Sequence, residues 1–182
     1  MTLSGEAKPI RWIGHRRYAH QFVQDHKDVT PVCFQAGSLG QGLPLRDLSV
    51  SPEHAMYLDG VLVPAAALVN GDCIALASGF DDVLYFHLEF DEHVVVYAEG
   101  APSESFVDDD SREMFDNSTQ YHQLYPHAPR VPARFCAPRV EDGEALEVIR
   151  RLVAAQSVSI ADGKQSPIPS NRWREASAIH SN

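Results

Sequence analysis

The sequence has no surplus of positive charge. Its 15 Lys and Arg stand against 25 Asp and Glu, a formal net charge of −10. Non-specific binding to nucleic acid or to an anionic membrane needs a basic surface, so neither partner is expected. No apolar run approaches the ~20 residues of a membrane-spanning helix. The first residues, MTLSGEAKPIRWIGHRRY, lack the apolar stretch of a secretory leader. Read as it stands, the chain is expected to be soluble and cytoplasmic. Cysteine is scarce: Cys33, Cys73 and Cys136 are odd in number, far apart and without CxxC spacing. That pattern argues against a disulfide framework and a structural zinc site. No metal or cofactor is expected. With 44% apolar residues among 182, the chain is long enough for one domain with a core and a tail.

What is present is a series of short strand patterns punctuated by turns. PIRWIGHRRY (9–18), PVCFQA (31–36) and DCIALAS (72–78) are strand candidates, as are DVLYFHLEF (82–90) and HVVVYAEG (93–100). The last two are expected to pair with each other or to run on as one bent strand. The clearest hairpin is AMYL–VLVP, with Asp59-Gly60 as a two-residue turn of type I′. Asn70-Gly71 supplies another turn. Residues 20–30 read as a polar connection and 114–134 as irregular. GSLGQGLP (37–44) is a loop, and its glycines lack the strand-to-helix context of a phosphate cradle.

One helix pattern stands out. DGEALEVIRRLVAAQ (142–156) puts Leu146, Ile149, Leu152 and Val153 on one face. Asp142 and Glu144 lie at its start and Arg150 and Arg151 nearer its end, which suits the helix dipole. The tail, 157–182, is polar and carries Pro167 and Pro169; it is expected to be poorly ordered. The fold class is mainly β with one C-terminal α-helix.

Two stretches carry a resemblance. LSVSPEHAMYLDGVLVPAAALVNG (48–71) and YFHLEFDEHVVVYAEGAPSES (85–105) resemble the Hint domain, the fold of Hedgehog autoprocessing domains and inteins. They are most similar to its bacterial variant with an SP-[DE]-HA-x-x-LDG segment. RWIG (11–14), GSLGQGLPLRDL and ARFCAPRVEDGEALEVIRRL (133–152) resemble the same variant in the same order. The resemblance spans 9–153 and implies a Hint-type β fold. It also implies self-processing of a peptide bond, in which an opening Cys or Ser attacks the preceding carbonyl. The family's T-x-x-H motif matches Ser51, Pro52, Glu53 and His54, so the resemblance assigns Ser51 and His54 to the scissile amide. By their residues alone, Ser-Pro is a turn starter and His54 a solvated histidine. His93 resembles the late family histidine near the thioester, with Asp91 beside it; the plain alternative is a strand-edge histidine after an acidic turn. His87, alternating with Phe86 and Leu88, is expected to be structural.

The departures from the family matter equally. AEG is followed by APSES rather than by the His-Asn ending that splicing needs, so splicing is not expected. The family nucleophile opens the domain in a motif like C-F-x-x-G-T. CFQAGS (33–38) imitates it but follows RWIG, and PVCFQAGSLG fits an internal segment of the variant, so Cys33 is expected to be an ordinary strand cysteine. The expectation is a domain incomplete at its N-terminus and inactive alone. An N-terminal segment supplied in cis upstream or in trans would complete it. One alternative is a non-catalytic β-rich module whose unpaired strand edges bind a protein partner. An unrelated enzyme using a Cys33–His54 pair ranks last, because no third orienting group is identified. Hint domains often process secreted proteins, although no export signal is visible here.

Overall fold

The computed structural model describes residues 2–79 and 81–161, with side chains to residue 155. Among the described residues the chain is mainly β, with nine strands in three antiparallel sheets. Among the described residues no helix is long and apolar enough to cross a membrane.

The first sheet is a two-stranded ribbon of β1 (Trp12–Tyr18) and β7 (Val83–Glu89), in register from Trp12↔Glu89 to Tyr18↔Val83. The second has the order β3-β2-β6: β2 (Val32–Phe34) lies between β3 (Leu48–Val50) and β6 (Ile74–Leu76). The third has the order β5-β4-β9-β8, built from β4 (Ala55–Leu58), β5 (Val61–Pro64), β8 (Val95–Ala98) and β9 (Ala101–Glu104). The β4–β5 hairpin turns at Asp59 and Gly60 with φ of +48° and +86°, the two positive angles a type I′ turn requires. Glu99 and Gly100, at +48° and +77°, turn β8 into β9 in the same way. The segment 82–100 therefore departs from the sequence reading. β7 and β8 neither pair nor merge; β7 takes β1 and β8 takes β9.

Three α-helices lie among the described residues: α1 (His20–Asp25), α2 (Ser118–Leu124) and α3 (Gly143–Ala161). The first lies in a stretch read as a polar connection and the second in one read as irregular. Both are far shorter than a helix that holds itself together in water, and each is held by one buried anchor, Val23 and Tyr121. Helix α3 buries Leu146, Ile149 and Val153 against Phe34, Met56 and Ile74, which form the main core. Leu152 is turned outwards, so the buried stripe runs i, i+3, i+7 without it. The helix continues past Ser157 to Ala161; the rest of the predicted polar tail lies outside the described residues.

A second core is aromatic. Trp12 meets Phe106, Phe115 and Tyr121 edge to face, at centroid distances of 5.1–6.3 Å within the cluster. Gly14 makes this packing fit: a Cβ there would stand 2.8 Å from the Trp12 ring and 2.9 Å from Phe115. The glycine of RWIG is thus a space requirement. Arg112 is buried in the same cluster, 3.5 Å above the Tyr121 ring, and its guanidinium is paired with Glu89 at 2.5 and 3.1 Å.

Most strand edges are covered. Residues 138–140 run beside β5 through Leu62, and residues 2–3 run beside β8 through Val95 and Val96. Asp116 and Asn117 take the free backbone groups of β1. The outer edges of β3 and of residues 84–87 in β7 carry no backbone partner among the described residues.

Candidate active site

Those two uncovered edges line one cleft of about 290 Å³. Its walls come from residues 48–51, 84–88 and 96–98, and His54, Ser103 and Glu104 contribute its polar groups. The walls are largely apolar, with Leu84, Phe86 and Tyr97 all exposed.

The turn between β3 and β4 delivers His54. The His54 N–H donates to the Ser51 carbonyl, and the His54 carbonyl accepts from the Ala65 N–H. The Ser-Pro-Glu-His segment is therefore the turn its residues suggest, yet its histidine is desolvated rather than solvated. Its Nε2 lies 2.6 Å from Ser103 Oγ. Burial, with His87, Arg139 and His93 adding to it, lowers its pKa to about 3. His54 is a neutral imidazole at physiological pH. The Ser51 Oγ makes no hydrogen bond to described residues and stands in the cleft wall.

His87 lies across from Gly14 in the β1–β7 ribbon, on its inner face. Its ring is 5.4 Å from that of His54 and 5.5 Å from that of Phe115. Burial lowers its pKa too. The residue expected to be structural thus lines the cleft beside His54 while packing on the aromatic core.

Glu104 is the buried carboxyl of the site. Oε1 accepts the Ala55 N–H at 2.7 Å, and both oxygens lie near the Arg139 guanidinium at 3.4 and 3.5 Å. Burial raises its pKa, and the Ala55 and Arg139 contacts oppose that shift. Arg139 is itself fixed by the Glu53 carbonyl and by Glu141, so it spans the His54 turn and the end of β9.

The other two sequence-derived residues lie elsewhere. His93 is buried but does not line the cleft. Its Nδ1 accepts the Cys136 N–H at 3.0 Å and its Nε2 donates to the Ser105 carbonyl at 3.0 Å, so both ring nitrogens are taken. It ties the end of β9 to residues 135–136. Asp91 is exposed on the turn before His93, where its neighbour Glu92, not Asp91, pairs with Lys8. The structure therefore brings Ser51 and His54 together and leaves His93 one step away and Asp91 outside. Cys33 sits in β2, paired with Ser49 and Ala75, and is not part of the cleft. Neither Cys73 nor Cys136 lines it.

Ser103, Glu104 and Arg139 were not singled out in the sequence. The signal for the first two was Glu99-Gly100, a two-residue turn between VVYA and APSE. Pro102 masked it, because proline argues against a strand inside a sheet. Among the described residues no group of three or more His, Cys, Asp or Glu side chains is placed to hold a metal ion.

Residues 1–110 match the family model of the Hint domain. The match takes in all nine strands with Ser51, His54, His87, Ser103 and Glu104, and ends before Arg139 and α3. No curated protein and no solved structure matches the chain.

Proposed function

The chain belongs to the Hint domain family, and we propose that its cleft is a peptide-processing site that captures an extended segment and activates one amide within it. The observation that carries this reading is the meeting of Ser51, His54 and Ser103 in a cleft lined by two unpaired strand edges. An extended peptide can hydrogen-bond to such an edge, while Leu84, Phe86 and Tyr97 receive its apolar side chains. The neutral imidazole of His54 and the hydroxyl of Ser51 then lie beside its backbone. A hydrogen bond to the amide nitrogen favours its departure as a carbonyl is attacked, which is the difficult part of an N-to-S acyl shift.

The nucleophile belongs to the captured segment. None of the chain's three cysteines lines the cleft. The segment arrives in cis from upstream or in trans, and the chain alone is inactive. His93 holds a supporting position, fixing residues 135–136 against β9, and Asp91 stands exposed on the turn before it.

The test is a reporter protein fused ahead of Met1, treated with hydroxylamine, with and without an intervening extended segment carrying a cysteine. A thioester formed by that cysteine would be cleaved by hydroxylamine. Cleavage is expected only with the segment, and only while His54 is intact. Cleavage without it that vanishes in Cys33→Ala would overturn the assignment of the nucleophile.

The same unpaired edges favour a second reading, a non-catalytic module that binds a strand from a protein partner. Stable capture of the cysteine-bearing segment with no hydroxylamine cleavage would select it.

A further inference from the structure

Imidazole tautomer decides which nitrogen of His54 can donate. Ser103 lies in β9, between Met56 of β4 and Val96 of β8, and is fully buried. Its hydroxyl has one hydrogen-bond partner among the described residues, His54 Nε2 at 2.6 Å. Two proton arrangements fit that distance. If Nε2 carries the ring proton and donates, the Ser103 hydroxyl hydrogen is left buried without an acceptor, which costs its full desolvation. If Ser103 donates to Nε2, the buried hydroxyl is satisfied and the ring proton resides on Nδ1, which is not among the buried polar atoms left without a partner. His54 Nδ1 makes no hydrogen bond to the described residues. It is the polar atom of the ring left over for a molecule in the cleft.

We propose that Ser103 is a positioning residue that locks His54 in its Nδ1–H tautomer, so that the imidazole presents a donor to an amide held in the cleft. The inference deepens the peptide-processing reading and rests on it for the identity of that amide. The low proton affinity of the buried ring agrees with the geometry, since a neutral imidazole must choose one nitrogen. The hydroxyl hydrogen of Ser103 is spent on His54 Nε2 and is not offered to the peptide. It acts through His54, and its rigid strand position supplies the orientation.

The tautomer can be read directly. A long-range proton–nitrogen correlation spectrum of the full chain at pH 7 distinguishes the protonated from the bare ring nitrogen, with His54 assigned by its loss in His54→Gln. The wild-type chain is expected to show Nδ1 protonated and Nε2 bare. Ser103→Ala is expected to move the proton to Nε2, and Ser103→Thr, which keeps the hydroxyl, to leave it on Nδ1. A wild-type spectrum with Nε2 protonated overturns the proposal even where Ser103→Ala fails to fold. So does Ser103→Ala with Nδ1 still protonated. In a chain completed by the cysteine-bearing segment, Ser103→Ala should slow cleavage at least tenfold without weakening segment capture. If the tautomer is as expected and the completed chain does not cleave, the peptide-processing reading fails and the hold of Ser103 on His54 stands.

Discussion

The rings of His54 and His87 stand 5.4 Å apart, edge to face, in a site that water scarcely solvates. Both are held neutral by burial, and a proton on either would repel a proton on the other. His93, buried nearby, is shifted in the same direction.

These shifts give stability a pH dependence of definite sign. In the unfolded chain each imidazole titrates near 6.5. The folded values lie lower, so the stabilisation is complete above about pH 6.5. It is lost as pH falls toward the folded values, for His54 across the window from 6.5 to about 3. Each imidazole removes up to about 1.4 kcal/mol per pH unit in its window. Glu104 has the opposite sign, because its raised pKa gives stability that fades as pH rises above 4.5. Three imidazoles outweigh one carboxyl, so urea unfolding at pH 5 is expected at a lower midpoint than at pH 7. A midpoint unchanged over that range would show that the histidines are solvated.

Arg112→Met is expected to destabilise the fold by about 3–5 kcal/mol, the range for breaking one side of a buried pair. The loss comes mainly from Glu89, which is left buried with only the Arg11 Nε at 3.9 Å for company. Combining it with Glu89→Gln should recover much of the loss. Equilibrium denaturation of the two variants measures this, and a double variant no better than the single one would place the cost in the lost stacking on Tyr121.

Two glycine substitutions should fail for different reasons. Gly14→Ala drives a methyl into the Trp12 and Phe115 rings, which cannot retreat because Phe106 and Tyr121 stand against Trp12. Overpacking of this kind costs about 1–3 kcal/mol. Gly60→Ala meets no atom within 4 Å, but its φ is +86°, so it carries only the backbone penalty of about 1–2 kcal/mol. Thermal unfolding checks both. Gly60→Asn should be milder than Gly60→Ala, whereas no small side chain rescues position 14.

This contrast also shows what could be read from the sequence. Asp59-Gly60 announced its hairpin because a local backbone rule governs it. The glycine of RWIG gave no such sign, since its reason is a tryptophan two residues away and a phenylalanine about a hundred residues on. The same divide runs through the site. Ser51 and His54 were assigned through the family resemblance of one contiguous segment, whereas by its residues alone that segment read as a turn with a solvated histidine. Ser103 was not assigned, because APSE becomes a strand only through pairing with Met56 and Val96, against the preference of Pro102. His93 was read from its resemblance to the late family histidine, and Asp91 from its place beside it in sequence. In the fold, the ring of one is consumed by Cys136 and Ser105 while the other is exposed to solvent.

Phe86→Asp separates segment capture from folding. Phe86 is 59% exposed on β7, so replacing it should change stability by no more than about 0.5 kcal/mol. The charge would stand in the cleft wall, where an arriving strand must lay an apolar side chain over the open edge, and an unpaired carboxylate there opposes that burial. Capture of an extended apolar peptide, followed by fluorescence anisotropy, should weaken tenfold or more while the unfolding midpoint holds. An equivalent charge at Ile13, exposed on β1 of the same ribbon but outside the cleft, should leave capture intact. Equal losses in both variants would mean that the peptide is drawn to apolar surface in general and that the unpaired edges of β3 and β7 do not select it.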